Sequence, residues 1–192
     1  MEIKQENIIA AYETATESGK SLLQALFPDL SLGQTSAETD NRPVTERIKT
    51  WEDACRDQDI VSYEFEDWLD DQGFAPDEQA FHKLRVIVAA LNEGWKPKFT
   101  EDEGRWYPWF VLWTELELQD KLEAWKEEHV MINIADYVGD FCGFACTRSH
   151  SSPSGTDMHF GSRLCLRSEE LADYCGKQFI DLWADFYLIR KS

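Results

Sequence analysis

The stretch RWYPWFVLW at residues 105–113 constrains the fold more strongly than any other part of the chain. Its aromatic content favours a β-strand, in which successive side chains point to opposite faces of the sheet. One face then carries Trp106, Pro108, Phe110 and Leu112, and the other carries Tyr107, Trp109, Val111 and Trp113. Because both faces are apolar, both need cover. Pro108 also requires an edge position or a bulge, since it cannot donate a ladder hydrogen bond.

Two alternatives are open for the face with Tyr107, Trp109 and Trp113, which is either covered by the chain itself or exposed. Residues 114–138 can fold over it, or it can remain an adhesive surface that stacks on a sugar or a base, or contacts a protein partner. We favour cover by the chain itself and keep the exposed surface as the alternative. These three side chains are therefore candidate ligand or partner contacts.

Helical periodicity predicts two long helices that can cover the sheet. In residues 76–92 apolar side chains recur at helical spacing, Pro76 falls in the first turn, and Gly94 is placed to end the helix. In residues 168–189 the same spacing follows Ser168, a favourable N-cap residue. We expect both helices to pack on one face of the sheet.

Two further strands are predicted at residues 139–149 and 157–166, joined by a polar loop around HSSPSG. Residues 115–128 are predicted to be helical. Together with the strand at 105–113, these elements predict an α+β fold. It consists of a small antiparallel sheet of about three strands packed against a helical layer, with more helix than strand.

Polar residues 28–43, which include two prolines, are predicted to link an N-terminal amphipathic helix (1–27) to an α+β domain (44–192). The three segments are expected to form one folding unit. Apolar residues three and four positions apart give the N-terminal helix one apolar stripe. That stripe can pack on its own domain or on a neighbouring subunit, so self-association is one expectation.

The charge balance narrows the classes of partner. With 37 acidic and 19 basic residues, the formal net charge is −18 at pH 7, and such a field repels phosphate backbones. No nucleic-acid partner is therefore expected. No apolar run approaches the ~20 residues that span a bilayer, and no secretory signal sequence is visible, so no membrane partner is expected either. Five scattered cysteines fit reduced thiols in the cytoplasm.

Three groups of residues are candidates for metal binding, catalysis or anion binding, and each has a simpler structural interpretation. Cys142, Cys146 and His150 have metal-ligand spacing on a helix, but four residues of a strand span ~13 Å, so no metal or other cofactor is predicted. A Cys–His pair across the predicted hairpin lacks an orienting group and oxyanion donors, so no catalytic residue is assigned. Arg163 can clamp an anion, although an internal salt bridge is the preferred interpretation. His159 and Arg163 are kept as candidate ligand or partner contacts.

Several signatures occur in order along the chain: GKSLLQALF (19–27), VTERIKTWEDAC (44–55), ALNEGWKP (90–97), YPWF (107–110), GSRLCLRSEELADYCGKQF (161–179) and DLWADF (181–186). Together they resemble a family of uncharacterised proteins common in gut-bacterial genomes and their phages or mobile elements. The resemblance covers nearly the whole chain. It implies a small cytoplasmic α+β protein of phage or mobile-element origin, and it carries over no activity, cofactor or catalytic residue.

The sequence favours a noncatalytic interaction or accessory protein over an enzyme, because no catalytic motif stands out from the acidic background. The first alternative is a small-ligand binding module that stacks a sugar or a base on the aromatic strand. The second alternative is an enzyme with an unrecognised site.

Overall fold

The computed structural model describes residues 8, 11, 15–27, 41–98, 100, 103–153 and 163–191 of the chain. Two compact units can be distinguished, Met1–Asn41 and Arg42–Ser192. The first unit contains helix α1 (Glu17–Leu26). Most of the predicted linker at 28–43 lies outside the described residues. The sheet and the remaining described helices belong to the second unit.

The second unit begins with helices α2 (Val44–Arg47), α3 (Trp51–Asp57), α4 (Ser62–Asp71) and α5 (Pro76–Asn92). Helix α5 has the predicted bounds. Pro76 fits the first turn, where no helical N–H is required, and the chain leaves through Glu93 (φ 47°) and Gly94 (φ 82°), both left-handed. No helix in the described part of the chain has the length and apolar character needed to span a membrane.

One antiparallel sheet is formed, in the order β1-β3-β2, by strands β1 (Gly104–Trp113), β2 (Met131–Asn133) and β3 (Gly143–Pro153). Helical residues outnumber strand residues, which confirms the predicted α+β class. Strand β1 matches the prediction at 105–113. Strand β3 corresponds to the prediction at 139–149, but it begins at Gly143 rather than at residue 139.

The predicted third strand at 157–166 is wrong for the residues that the structure describes. Residues 163–166 form a turn and one isolated bridge, between Leu166 and Trp106, and residues 157–162 lie outside the described part of the chain. The third strand of the sheet is β2, which pairs with the start of β3. Three residues are too few to show the alternation by which a strand is recognised in sequence.

The helix predicted at 115–128 is divided into α6 (Glu115–Gln119) and α7 (Glu123–Glu128). Thr114 caps α6 by accepting a hydrogen bond from the N–H of Glu117. Leu122 is extended (φ −66°, ψ 148°) and interrupts the helical path between them. Val130 (φ 46°) then turns the chain into β2. The break and this turn allow an otherwise helical segment to reach the sheet.

The single helix predicted at 168–189 is also divided, into α8 (Glu169–Gln178) and α9 (Ile180–Tyr187). Ser168 caps α8 as predicted, its hydroxyl accepting a hydrogen bond from the N–H of Leu171 at 3.3 Å. Phe179 interrupts the helical path (φ −115°, ψ 33°). Because of this break, α8 lies on the sheet while α9 packs against α5.

The two helical segments predicted to lie together on the sheet occupy different layers. Helix α8 packs directly on β1 and β3, whereas α5 packs mainly against α3 and α9, so the predicted position of residues 76–92 is corrected. The contact between α8 and the sheet is close because Gly176 has no side chain. A Cβ at this position would lie 2.6 Å from the Cβ of Pro108 and 2.5 Å from the Sγ of Cys146.

Candidate binding site at the edge of the sheet

Strand β1 lies at one edge of the sheet, which satisfies the requirement that Pro108 imposes. A bulge adds to the local irregularity. The pairing shifts between Trp109, which lies opposite Arg148, and Phe110, which lies opposite Cys146, so Thr147 is the extra residue. Because the extra residue belongs to β3, the alternation of β1 itself continues through the bulge.

The backbone groups of β1 can be assigned to its two sides from hydrogen bonds near its ends. On the side away from β3, Trp106 donates to the carbonyl of Leu166 at 3.0 Å and accepts from the N–H of Leu166 at 2.9 Å. On the β3 side, the carbonyl of Trp113 accepts from the N–H of Cys142 at 2.9 Å. Since backbone groups alternate between sides at each residue, even-numbered residues of β1 point outward and odd-numbered residues point toward β3.

Beyond Trp106, the outward side of β1 carries backbone groups for which the described residues supply no strand partner. Phe110 and Leu112 each point an N–H and a carbonyl outward, and Pro108 points only a carbonyl outward because it has no N–H. Within the described residues, no strand lies beside this part of the edge. The missing donor of Pro108 thus falls on the side where no described strand pairs with β1.

An apolar groove of about 350 Å³ lies along the same edge, on the helical side of the sheet, and is lined by Pro108, Trp109, Phe110, Leu112, Phe144, Tyr187 and Leu188. Phe110 is held at its floor, because its ring stacks on that of Phe144 with centroids 4.7 Å apart. The rings of Trp183 and Tyr187 lie 5.4 and 5.5 Å from that of Phe110. Helix α9 thereby supplies one wall of the groove, and Leu188 extends that wall beyond the end of the helix.

The opposite face of β1 is covered unevenly. Trp113 lies beneath the segment that follows the strand, with Trp125 edge-on at 5.4 Å and the Lys121 ammonium 5.1 Å from its ring centroid. Trp109 remains 38% exposed, and the guanidinium of Arg148 lies over its ring at 5.5 Å. Cover by residues 114–138 therefore applies to Trp113 and leaves Trp109 at the surface.

Tyr107 is buried on this face rather than presented to a ligand. It is 4% exposed, and burial raises the pKa of its hydroxyl, to which the neighbouring Cys165 also contributes. Arg105, fully buried, acts on the same hydroxyl in the opposite direction. Of the candidate contacts on this strand, Trp109 is the one most available to solvent.

The two other candidate contacts lie away from the strand in sequence. Arg163 is exposed, in the turn that precedes Leu164. His159 lies outside the described residues. The four candidate contacts that the structure describes thus comprise one exposed aromatic residue, two covered aromatic residues and a loop arginine.

The cysteines pack as small apolar side chains. Burial raises the pKa of the thiols of Cys146 and Cys175 to about 12 and that of Cys165 to about 11. Such thiols stay protonated at neutral pH and are poor nucleophiles. Cys142 is half-buried and precedes β3, and its thiol lies 3.7 Å from the carbonyl of Trp113. The side chain of His150 lies outside the described residues.

Sequence reasoning missed the wall of the groove. Phe144, Tyr187 and Leu188 carry no pattern that would unite them with β1, because they come together only through the sheet pairing and the break at Phe179. Among the described residues, no group of three or more His, Cys, Asp or Glu side chains is placed to hold a metal ion. Comparisons of the chain with protein-family models, with curated proteins and with solved structures found no match.

Proposed function

We propose that this protein is a noncatalytic interaction protein that binds an extended segment of a protein partner along the outer edge of β1. The observation that carries the proposal is the coincidence of outward-facing backbone groups at Phe110 and Leu112 with an apolar groove beside them. In strand addition, main-chain hydrogen bonds supply affinity and side-chain pockets supply specificity. Outward-facing main-chain groups and an apolar groove both occur here along the same few residues.

The composition of the edge supports this proposal. Natural proteins usually protect edge strands with charged side chains, a proline, a bulge or a covering segment. Between Trp106 and Trp113 the strand has no charged residue, and among the described residues its protection consists of Pro108 and the bulge on β3. The C-terminal half of the edge therefore keeps its donors and acceptors beside apolar side chains, as strand addition requires.

The state of the thiols also favours a binding role and a cytoplasmic location. All five cysteines are free, which fits the reducing cytoplasm. Four of them are buried, and burial raises the pKa of each of these thiols, so they are unsuited to nucleophilic catalysis. Origin in a phage or mobile element is part of the same proposal and rests on the sequence resemblance.

A random library of twelve-residue peptides displayed on phage and selected on the full-length protein provides the test. Bound peptides are expected to slow amide exchange at Phe110 and Leu112, because these N–H groups would donate to the added strand. Leu188→Ser should weaken the same peptides by shortening the apolar wall of the groove. Ile189→Ser is the matched control, since Ile189 is 74% exposed and does not line the groove.

The proposal fails if the selected peptides leave exchange at Phe110 and Leu112 unchanged, or if Leu188→Ser and Ile189→Ser affect binding equally. Circular dichroism of both variants before binding separates a lost site from lost folding. Binding of a small aromatic or sugar probe in the groove, without protection of these two amides, would favour the small-ligand alternative, because such a ligand needs no main-chain pairing.

A further inference from the structure

We infer that the segment bound at this edge is basic, with apolar residues at alternate central positions and lysine or arginine at its flanks. This inference rests on the proposed function and adds the chemistry of the partner. It depends on two separate features of the molecule. These are the direction in which side chains of an added strand would point, and the charge that surrounds the groove.

The alternation follows from the pairing geometry. Residues that exchange both main-chain bonds across an antiparallel pair lie directly opposite each other, with their side chains on the same face. Residues of an added antiparallel strand opposite Phe110 and Leu112 would therefore point into the apolar groove on the helical side. The residue between them would lie opposite Val111 and point to the other face, where exposed Trp109 is a diagonal neighbour. Two apolar side chains two positions apart are thus required, with a polar residue allowed between them.

The positive charge of the partner segment follows from the charges that surround β1. The chain carries a formal net charge of −18, and a field of this sign attracts cationic segments. Glu115 and Glu117, in helix α6 directly after β1, are both exposed and add negative charge at this end of the strand. Near the middle of the strand, the cation of Arg148 lies over Trp109. The flanks of the partner, rather than its centre, should therefore carry the positive charge.

The same charge argues against a second copy of this chain as the occupant. Two copies would bring net charges of −18 together. Like charges across an interface oppose association and select against that pairing. A basic segment gains from the field that disfavours the homodimer.

Three synthetic peptides test this inference against the full-length protein. The first is Lys-Lys-Val-Thr-Val-Thr-Val-Lys-Lys, the second has glutamate in place of each lysine, and the third has serine in place of each valine. We expect the first to slow amide exchange at Phe110 and Leu112 and to bind about tenfold or more tightly than the other two. Its affinity should fall several-fold between 50 and 500 mM salt, because the Debye length shrinks from roughly 14 to roughly 4 Å.

The outcomes separate this inference from the proposed function. Equal binding of the lysine and glutamate peptides, or selection of acidic peptides from the random library at the same edge, overturns the basic partner and leaves strand addition intact. Equal binding of the valine and serine peptides overturns the apolar alternation. A homodimer that protects the same two amides, seen by light scattering, overturns the choice of a heterologous partner. If no peptide from either set protects these amides, the proposed function itself fails.

Discussion

Gly176 in helix α8 permits the close contact that holds β1 and β3 against the helical layer, so Gly176→Ala perturbs the support of the proposed site. At an ordinary helix position this change stabilises, by about 1 kcal/mol, because alanine has the higher helix propensity. Here the added Cβ would lie 2.5 Å from the Sγ of Cys146 and 2.6 Å from the Cβ of Pro108. Neither neighbour is the end of a long flexible side chain, so the helix or the sheet must move.

The structure therefore predicts that Gly176→Ala destabilises the protein, the opposite of the usual effect of this change in a helix. Insertion of a methyl group into a packed interior costs about 1 to 3 kcal/mol, and both contacts are well inside normal separation, so a cost near the upper end applies. After the propensity gain is subtracted, the expected net loss is about 1 to 2 kcal/mol. For a chain of this size that corresponds to a fall in Tm of roughly 2 to 8 °C.

Urea unfolding followed by tryptophan fluorescence measures this loss, since Trp183 and several other tryptophans are buried or half-buried in the same unit. In the double variant Gly176→Ala with Cys146→Ala, one of the two close contacts is removed, so the two changes should cost less together than the sum of the single changes. If Gly176→Ala is as stable as the unmodified protein, α8 does not lie against β1 as described, and the position of the groove wall is refuted.

Three further predictions concern polar groups and thiols of the same unit. Asn92→Ala should lower the free energy of unfolding in urea by about 2 to 3 kcal/mol. The buried amide donates to the Cys165 carbonyl at 2.9 Å and accepts from the Arg167 N–H at 3.0 Å, and both bonds would be lost. A loss below about 0.5 kcal/mol would contradict this role. Burial raises the pKa of Tyr137 from 10.0 to about 12, so the hydroxyl loses its proton at lower pH in the unfolded chain than in the folded one. The contribution of this group to folding stability is therefore complete below pH 10 and is lost as the pH rises toward 12. Tyr137→Phe should therefore lose stability less steeply than the unmodified protein between pH 10 and 12, and equal slopes in pH-dependent urea unfolding would count against this assignment. In the native protein a maleimide should label Cys142 first, since the other four thiols are at most 1% exposed, and mass spectrometry showing early label elsewhere would disprove that order.

The elements that sequence analysis predicted well are those whose signals are local. Helix α5 has Pro76 at its start and Gly94 beyond its end, and both act through backbone geometry within a few residues. Strand β1 is recognisable because aromatic and apolar residues fill both of its faces and because Pro108 restricts its position. These features need no knowledge of the neighbouring elements.

The elements that were mispredicted depend on tertiary contacts. At Phe179 no proline or glycine marks the break between α8 and α9, which lets one helix lie on the sheet and the other pack against α5. Strand β2 is too short to carry an alternation, and it exists because it pairs with the start of β3.

The candidate site depends both on local sequence signals and on tertiary contacts. Sequence alternation correctly divides the side chains of β1 between two faces, but it cannot show which backbone groups point away from the sheet. That direction is set by the strand that lies beside β1 and is visible in the bond between Trp106 and Leu166. The groove wall at Tyr187 and Leu188 likewise depends on the break between α8 and α9.

Amide exchange of the free protein tests the open edge most directly, because it needs no partner. We expect Phe110 and Leu112 to exchange about tenfold or more faster than Val111, whose N–H points toward β3. Trp106 is the internal control, since its outward N–H is bonded to Leu166 and should be protected. Equal protection of Phe110, Val111 and Leu112 would contradict an open edge and the binding role proposed for it, because it would mean that the outer edge of β1 is already paired.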